Sequence, residues 1–290
     1  MSKNDDTEKT PRDTHYAKLR RAHRDARREK GEIPTPQKRR HGPDRDWKPP
    51  ALEANQVFLY GLHTVRAALA NPARRNIRLS VTQNALARLE IGPPEALGIP
   101  VDMVSPADIE KILGPEAIHQ GVMLETRPLP VRHLEALRDS PLILVLDQVT
   151  DPHNVGALMR SAVAFDAGAV ITTMRHSPTE SGVLAKSASG ALEMIPYIQI
   201  TNLSDALSQL HDLGFHSVGL DSEGPDVLEK SFSGQKIALV LGSEGKGLRQ
   251  KTRETVKALA RLDMPGQIKS LNVSNAAAIA LYASRNYLTR

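Results

Sequence analysis

The sequence predicts an α/β protein in which a small mixed unit precedes a larger one built on a parallel sheet. Three observations carry that expectation. From Val57 onward, short strand-like apolar runs alternate with helix-periodic segments. The stretch LILVLDQV (142–149) is nearly continuous in apolar residues, as a parallel strand covered on both faces must be. Between the two alternating blocks lies RPLPVRH (127–133), whose two prolines mark a connection. A chain of 290 residues has room for both units. The expected division is a basic tail at 1–53, a first domain at 54–128, a linker at 129–139 and a second domain at 140–290.

In the first unit VFLYG (57–61) reads as a strand and LHTVRAALA (62–70) as a helix with apolar-periodic spacing. Strand IRLSVT (77–82), helical ALARLE (85–90), extended VDMVS (101–105), helical PADIEKIL (106–113) and strand VMLET (122–126) follow. In the second unit LILVLDQV leads into helix VGALMRSAVAF (155–165), for which Asn154 is a suitable N-cap. Strand AVITT (169–173), helix SGVLAKSASGALEM (181–194), strand YIQI (197–200) and helix LSDALSQLHDL (203–213) come next. Strands FHSVGL (215–220) and IALVLG (237–242) precede a final helix from about Asn272.

Composition narrows the chemistry. With no cysteine there is no disulfide, thiolate nucleophile or cysteine-based zinc site, which fits a reducing compartment. No secretory apolar region opens the chain, and the longest apolar runs are too short to span a bilayer, so a soluble, cytoplasmic protein is expected. Charge is unevenly placed: residues 1–50 hold 15 Lys/Arg and 9 Asp/Glu, a net of +6. Totals of 38 and 33 leave 23 basic and 24 acidic residues beyond them, a net of −1. The first 50 residues are also poor in apolar side chains, so the tail is expected to be disordered and to contact phosphates without sequence preference.

Ligands of parallel sheets bind beyond the carboxyl ends of the strands. That directs attention to three loops. In DQVTDPHNVGALMRSA (147–162), Asp151-Pro152 ends the strand, Gly156 permits close backbone approach, and Arg160 falls in the second turn of the expected helix. From residue type alone, a capped helix with a solvent-facing arginine is the simpler reading. GSEGKGLRQKTRE (242–254) has glycines behind a strand, but it lacks the Lys-Ser/Thr pair of a P-loop and has the order G-x-x-G-x-G rather than G-x-G-x-x-G. A tight turn with Glu244 in solvent accounts for it equally well. In LDMPGQIKSLNVSNAAAIALYASR (262–285), Ser270, Asn272, Ser274 and Asn275 crowd more polar groups before a helix than one cap needs.

Taken in order, NVGALMRSA, GSEGKGL and SLNVSNAAAIALY resemble the three motifs of the SpoU (TrmH-like) RNA 2′-O-ribose methyltransferases. YGLHTVRAAL (60–69) and HQGV (119–122) are similar to pieces of the ribosomal-protein-like substrate-binding domain that some members carry. The resemblance spans about 57–290, and its domain arrangement is nearest to bacterial enzymes that make 2′-O-methylguanosine in 23S ribosomal RNA. It implies a parallel sheet with a C-terminal trefoil knot, S-adenosyl-L-methionine as cofactor, no metal, and a homodimer joined through the methyltransferase domain. It also implies a catalytic set of Asn154, Arg160, Glu244, Ser270 and Asn272. Gly242, Leu262 and Leu271, with Ser243 and Met264 beside them, take the cofactor-binding positions. Asp263 stands where the family pattern usually carries proline, and Lys246 replaces an expected acidic or small residue. Within the resemblance Arg160 contacts the target hydroxyl or its adjacent phosphate. Because a guanidinium hardly deprotonates, its expected role is electrostatic. A ribosomal RNA substrate is expected, because transfer-RNA enzymes of the family often lack the first domain. Transfer-RNA methylation and a non-catalytic RNA-binding role are the alternatives.

Overall fold

The computed structural model describes residues 55–290, and the basic tail lies outside them. The first unit is a four-stranded sheet of β1 (Val57–Tyr60), β2 (Asn76–Val81), β3 (Val101–Met103) and β4 (Val122–Thr126), ordered β1-β4-β2-β3. β4 runs antiparallel to β1 and β2, whereas β3 joins β2 in parallel. Helices α1 (Leu62–Ala70), α2 (Gln83–Leu89) and α3 (Pro106–Leu113) connect them. Their starts are encoded locally. Thr82 accepts from the amide of Ala85, and Ser105 and Asp108 form a reciprocal capping box with Pro106 in the first turn.

The second unit is a seven-stranded, wholly parallel sheet ordered β7-β6-β5-β10-β8-β11-β9. Its strands are β5 (Leu142–Asp147), β6 (Val170–Thr173), β7 (Tyr197–Ile200), β8 (His216–Leu220), β9 (Asp226–Val227), β10 (Ile237–Gly242) and β11 (Ala258–Arg261). Its helices are α4 (Pro152–Ala164), α5 (Gly182–Ala188), α6 (Leu203–Asp212), α7 (Gln250–Thr255) and α8 (Val273–Leu288). Every residue of β5 is buried, which is why its apolar run is unbroken. From β5 the chain builds outward through β6 and β7, crosses to β8, and returns to place β10 between β5 and β8. The connections leaving β5 and β10 therefore depart in opposite directions, opening a crevice at their carboxyl ends.

Several local expectations change. Helix α4 begins at Pro152 and is capped by Asp151, whose side chain accepts from the amide of His153 at 2.9 Å. Asn154 is thus inside the helix rather than its cap, and Arg160 falls in the third turn. Pro152 explains the shift, since proline favours the first helical position and leaves the residue before it extended. The helix expected over 181–194 stops at Ala188, because Ser189 and Gly190 adopt left-handed backbone, with φ of 50° and 98°. A short 3-10 turn, Ala191–Glu193, takes its place. Strands β9 and β11 and helix α7 have no counterpart in the sequence reading; the first two are only 2 and 4 residues long.

The apolar core is continuous between the two sheets, with Val57 and Leu59 in the same cluster as Leu184 and Leu144. Polar contacts join them as well. The hydroxyl of Thr64 donates to the carbonyl of Ala185 at 3.1 Å, and Lys186 Nζ donates to Gln120 Oε1 at 2.6 Å. Burial lowers the Lys186 ammonium below the ordinary lysine range. The connecting stretch is itself packed, with Leu134 and Leu137 buried against Ile143 and Phe215.

One buried carboxylate fixes the crevice. Asp147 ends β5 with its side chain wholly buried, opposite Gly242 in the β5–β10 register. It accepts from Arg249 twice, from the amide at 3.0 Å and from Nε at 2.6 Å, and from Thr252 Oγ1 at 2.7 Å. The chain leaving β10 is therefore anchored to the neighbouring strand just before α7. Charge-assisted bonds to a buried group are the strong ones, and removing the acceptor leaves Thr252 without its partner. Asp147→Ala is expected to destabilise the protein by about 3 kcal/mol, read as a lowered urea midpoint. An unchanged midpoint would show that the anchor contributes nothing.

Candidate active site

The glycines after β10 serve the loop itself. Ser243 and Gly247 form an isolated bridge, and the amide of Gly247 donates to the carbonyl of Ser243 at 2.9 Å. A Cβ on Gly242 would lie 2.1 Å from the backbone carbon of Gly247. The loop folds back on the strand that leads into it, and glycine is required there for that reason. Glu244 and Lys246 occupy the exposed tip.

That fold-back turns Glu244 toward α8. Glu244 Oε1 accepts from Asn272 Nδ2 at 2.6 Å and from the amide of Val273 at 3.4 Å. Asn272 caps α8, its Oδ1 accepting from the amide of Ser274 at 2.9 Å and from its hydroxyl at 2.6 Å. Asn272 Nδ2 also donates to Asn154 Oδ1 at 3.3 Å. Three loops distant in sequence thus meet in one network of Asn154, Glu244 and Asn272. The amide orientation of Asn272 is dictated by these partners, since only its oxygen can accept from Ser274 and only its nitrogen can donate to Glu244.

Arg160 stands beside this network. It is exposed on α4 and lines a shallow recess of about 360 Å³ with Ala157, Ser161, Ser274 and Asn275. Among the described residues it makes no hydrogen bond or ion pair, so its five donors are available to a ligand. α4 is held against α5 by a close crossing at Gly156, where a Cβ would lie 2.5 Å from that of Ser187.

The remaining expected residues are less tightly tied. Ser270 is exposed and makes no hydrogen bond among the described residues. Leu262, just past β11, packs on the apolar core; Met264 is half-buried, and its carbonyl accepts from Lys269 Nζ at 2.6 Å. Leu271 and Asp263 are exposed. No hydrogen bond among the described residues links Leu262, Met264 or Leu271 to Gly242 or Ser243. Sequence reasoning overlooked Asp147 and its partners Arg249 and Thr252, although an acid ending an otherwise apolar strand was the available signal. It also overlooked the turn after β8. There Asp221 accepts from Arg253 and from the amide of Glu223, and Arg261 Nη1 donates to the carbonyl of Gly224 at 2.7 Å.

Chemically the site offers an acid, two amides and an unpaired guanidinium. Among the described residues no group of His, Asp or Glu side chains is arranged to hold a metal ion. No helix there is long and apolar enough to cross a membrane.

Both units match known families. Residues 141–282 match the SpoU rRNA Methylase family, and residues 58–131 match the RNA 2′-O ribose methyltransferase substrate binding family. The chain is 38% identical over 236 residues to the 23S rRNA (guanosine-2′-O-)-methyltransferase RlmB of Ralstonia nicotianae, covering 78% of this chain and 93% of that protein. It is 37% identical over 234 residues to the enzyme of the same name from Pseudomonas aeruginosa, covering 77% and 94%. The SpoU methyltransferase AviRb of Streptomyces viridochromogenes, solved with AdoMet, shares the fold with a TM-score of 0.68 at 20% identity, over 80% of this chain and 90% of that one. With both units matched and the relatives aligned over nearly their whole length, the chain belongs to the SpoU rRNA methylase family.

Proposed function

We propose that the protein transfers the methyl group of S-adenosyl-L-methionine to the ribose 2′-hydroxyl of a guanosine in 23S ribosomal RNA. The observation that carries this reading is the meeting of Asn154, Glu244 and Asn272 beside an unpaired Arg160, in a chain aligned with RlmB enzymes across both units. The donor set suits such a cofactor. The glycine loop carries Glu244 beside Lys246 and lacks the Lys-Ser/Thr pair of a phosphate cradle, whereas a sulfonium cofactor carries positive charge and no phosphate. When bound, S-adenosyl-L-methionine supplies an electrophilic methyl group, and its transfer leaves a neutral thioether and releases the hydroxyl proton.

The protein's part is positioning and electrostatics. A ribose hydroxyl is a weak nucleophile, and charge develops on its oxygen as it attacks. Arg160 stabilises that charge, directly or through the adjacent phosphate. Glu244 holds Asn272, and through it Asn154, so the polar groups present a fixed surface to the ribose. Ser270 completes this catalytic set. The backbone at Gly242 and Ser243 and the apolar groups of Leu262, Met264 and Leu271 hold the adenosine and methionine portions.

Several wider features belong to the same reading. Residues 54–128 bind RNA, 129–139 connect, and 140–290 catalyse, in keeping with the two family matches. The segment after β10 forms a trefoil knot, which the insertion of β10 between β5 and β8 supports. The protein is a homodimer through the methyltransferase domain, a reading supported by exposed Ile279 and Tyr282 on α8. It works in the cytoplasm, where ribosomal RNA is found, and its basic tail contacts RNA phosphates.

The decisive test uses methyl-labelled cofactor and unmodified 23S ribosomal RNA, followed by alkaline hydrolysis. Label is expected in alkali-stable dinucleotides beginning with guanosine, because a 2′-O-methyl blocks cleavage at its own phosphodiester. Label in mononucleotides would mean base methylation and end the proposal. Arg160→Ala is expected to lower the transfer rate at least about 100-fold with cofactor affinity nearly intact by calorimetry; loss of cofactor binding would remove the assigned role. Gly242→Ala is expected to force Gly247 out of its fold-back and to weaken cofactor binding, seen in the same titration. Removing residues 1–50 is expected to weaken RNA binding and flatten its dependence on salt, while methyl transfer at saturating RNA persists.

A further inference from the structure

Away from the crevice lies a buried ionic cluster that the reaction does not use. Arg74, in the turn between α1 and β2, has no exposed side-chain surface. It forms a forked pair with Glu193, with Nε to Oε2 at 3.1 Å, and its Nη1 donates to Glu180 and to the carbonyl of Arg127 at 2.9 Å. Asn71 Nδ2 donates to Glu193 Oε2 at 2.8 Å, and the second oxygen of Glu180 accepts from the amide of Leu129 at 2.9 Å. The cluster therefore ties together three segments: residues 71–74 of the first unit, 127–129 of the connection, and Glu180 and Glu193 of the second unit.

We infer that this cluster is a latch that holds the RNA-binding unit in one orientation against the catalytic unit, with Arg74 as a positioning residue. The inference rests on the proposed function. Burying ions is a poor way to gain stability, because desolvation offsets most of the attraction and apolar side chains pack as well. What ions add is direction. An apolar contact tolerates sliding, whereas a guanidinium fork meets a carboxylate in one plane and one register. The start of the connection is held while Arg74 is engaged, because the carbonyl of Arg127 and the amide of Leu129 are both bonded within the cluster. Glu193 is also carried near the chemistry. It ends the 3-10 turn that follows α5, and α5 crosses α4, which bears Asn154 and Arg160, at the close Gly156–Ser187 contact. The left-handed break at Ser189–Gly190 is what turns the chain from α5 into the Glu193 turn.

The absence of cysteine in the chain allows a clean test. Ala87→Cys on α2 and Gln209→Cys on α6, both exposed positions, take spin labels whose separation reports the orientation of the two units. Parent protein is expected to give one narrow distance distribution. Arg74→Met is expected to broaden it and to raise KM for 23S ribosomal RNA about tenfold if the docked fraction falls to about a tenth. kcat and affinity for S-adenosyl-L-methionine should stay within about twofold. Because Arg74→Met strands two buried carboxylates, the neutral triple variant Arg74→Met/Glu180→Gln/Glu193→Gln is measured alongside and should behave the same way. An unchanged distribution in a folded variant overturns the latch, whatever happens to KM. So does a fall in kcat and cofactor affinity in step with the rise in KM, because the cluster would then support the catalytic fold rather than orientation. If the parent transferred no methyl group to 23S ribosomal RNA, the functional reading would fall while the distances still tested whether the cluster holds the units.

Discussion

The arrangement depends on the carboxylate of Asp147. Two parallel strands can lie side by side without fixing what their loops do, and a crevice at a switch point is only a gap until its walls are held. Asp147 provides the hold by taking its three hydrogen bonds from residues 249 and 252, which follow the glycine loop. With that anchor in place, the 6 residues between Gly242 and Arg249 must close the loop, and the back-folded turn is how they do so. Glu244, on that turn, faces the start of α8. A buried charge at the carboxyl edge of the sheet thereby helps place an exposed acid at that same edge.

The site above that anchor is assembled largely from groups that also do ordinary structural work. Asn272 caps a helix and Gly242 permits a turn. Asn154 sits within the first turn of α4 because Asp151 takes the cap. Arg160 differs in kind. It has no structural partner among the described residues, and its guanidinium stands exposed beside the polar network. The contrast with Arg74 is instructive, because that side chain is fully committed within the fold.

Much of the fold was legible in the sequence, and the reasons are local. The unbroken apolar run of β5 announced a parallel strand covered on both faces, and the bounds of α1, α3 and β4 coincide with the periodic segments that predicted them. Where the reading failed, tertiary structure had overruled local pattern. Residues 181–194 have helical spacing throughout, yet the chain breaks at Ser189 and Gly190, both left-handed, and Glu193 beyond the break pairs with Arg74 of the first unit. β11 is too short for its alternation to stand out, and it is held as a strand by β8 and β9 rather than by its own residues. The site was legible only through its motifs. Their order pointed to Asn154, Arg160, Glu244 and Asn272, but nothing in residue type or spacing could join positions 118 residues apart. Asp147 went unremarked because its importance lies in who reaches it across the sheet.

The double duty of Asn272 constrains which residues position 272 can tolerate. Serine, threonine, aspartate and asparagine all cap helices well, so a requirement for α8 alone would leave the choice open. Here the capping side chain must also donate to Glu244. Aspartate would set two like charges against each other, and the hydroxyls are too short to span both the Ser274 amide and the acid. Asparagine, with an acceptor and a donor on one planar group, meets both demands. A substitution that is neutral for helix stability is therefore not neutral for the network, and the two properties are inherited together in a single side chain.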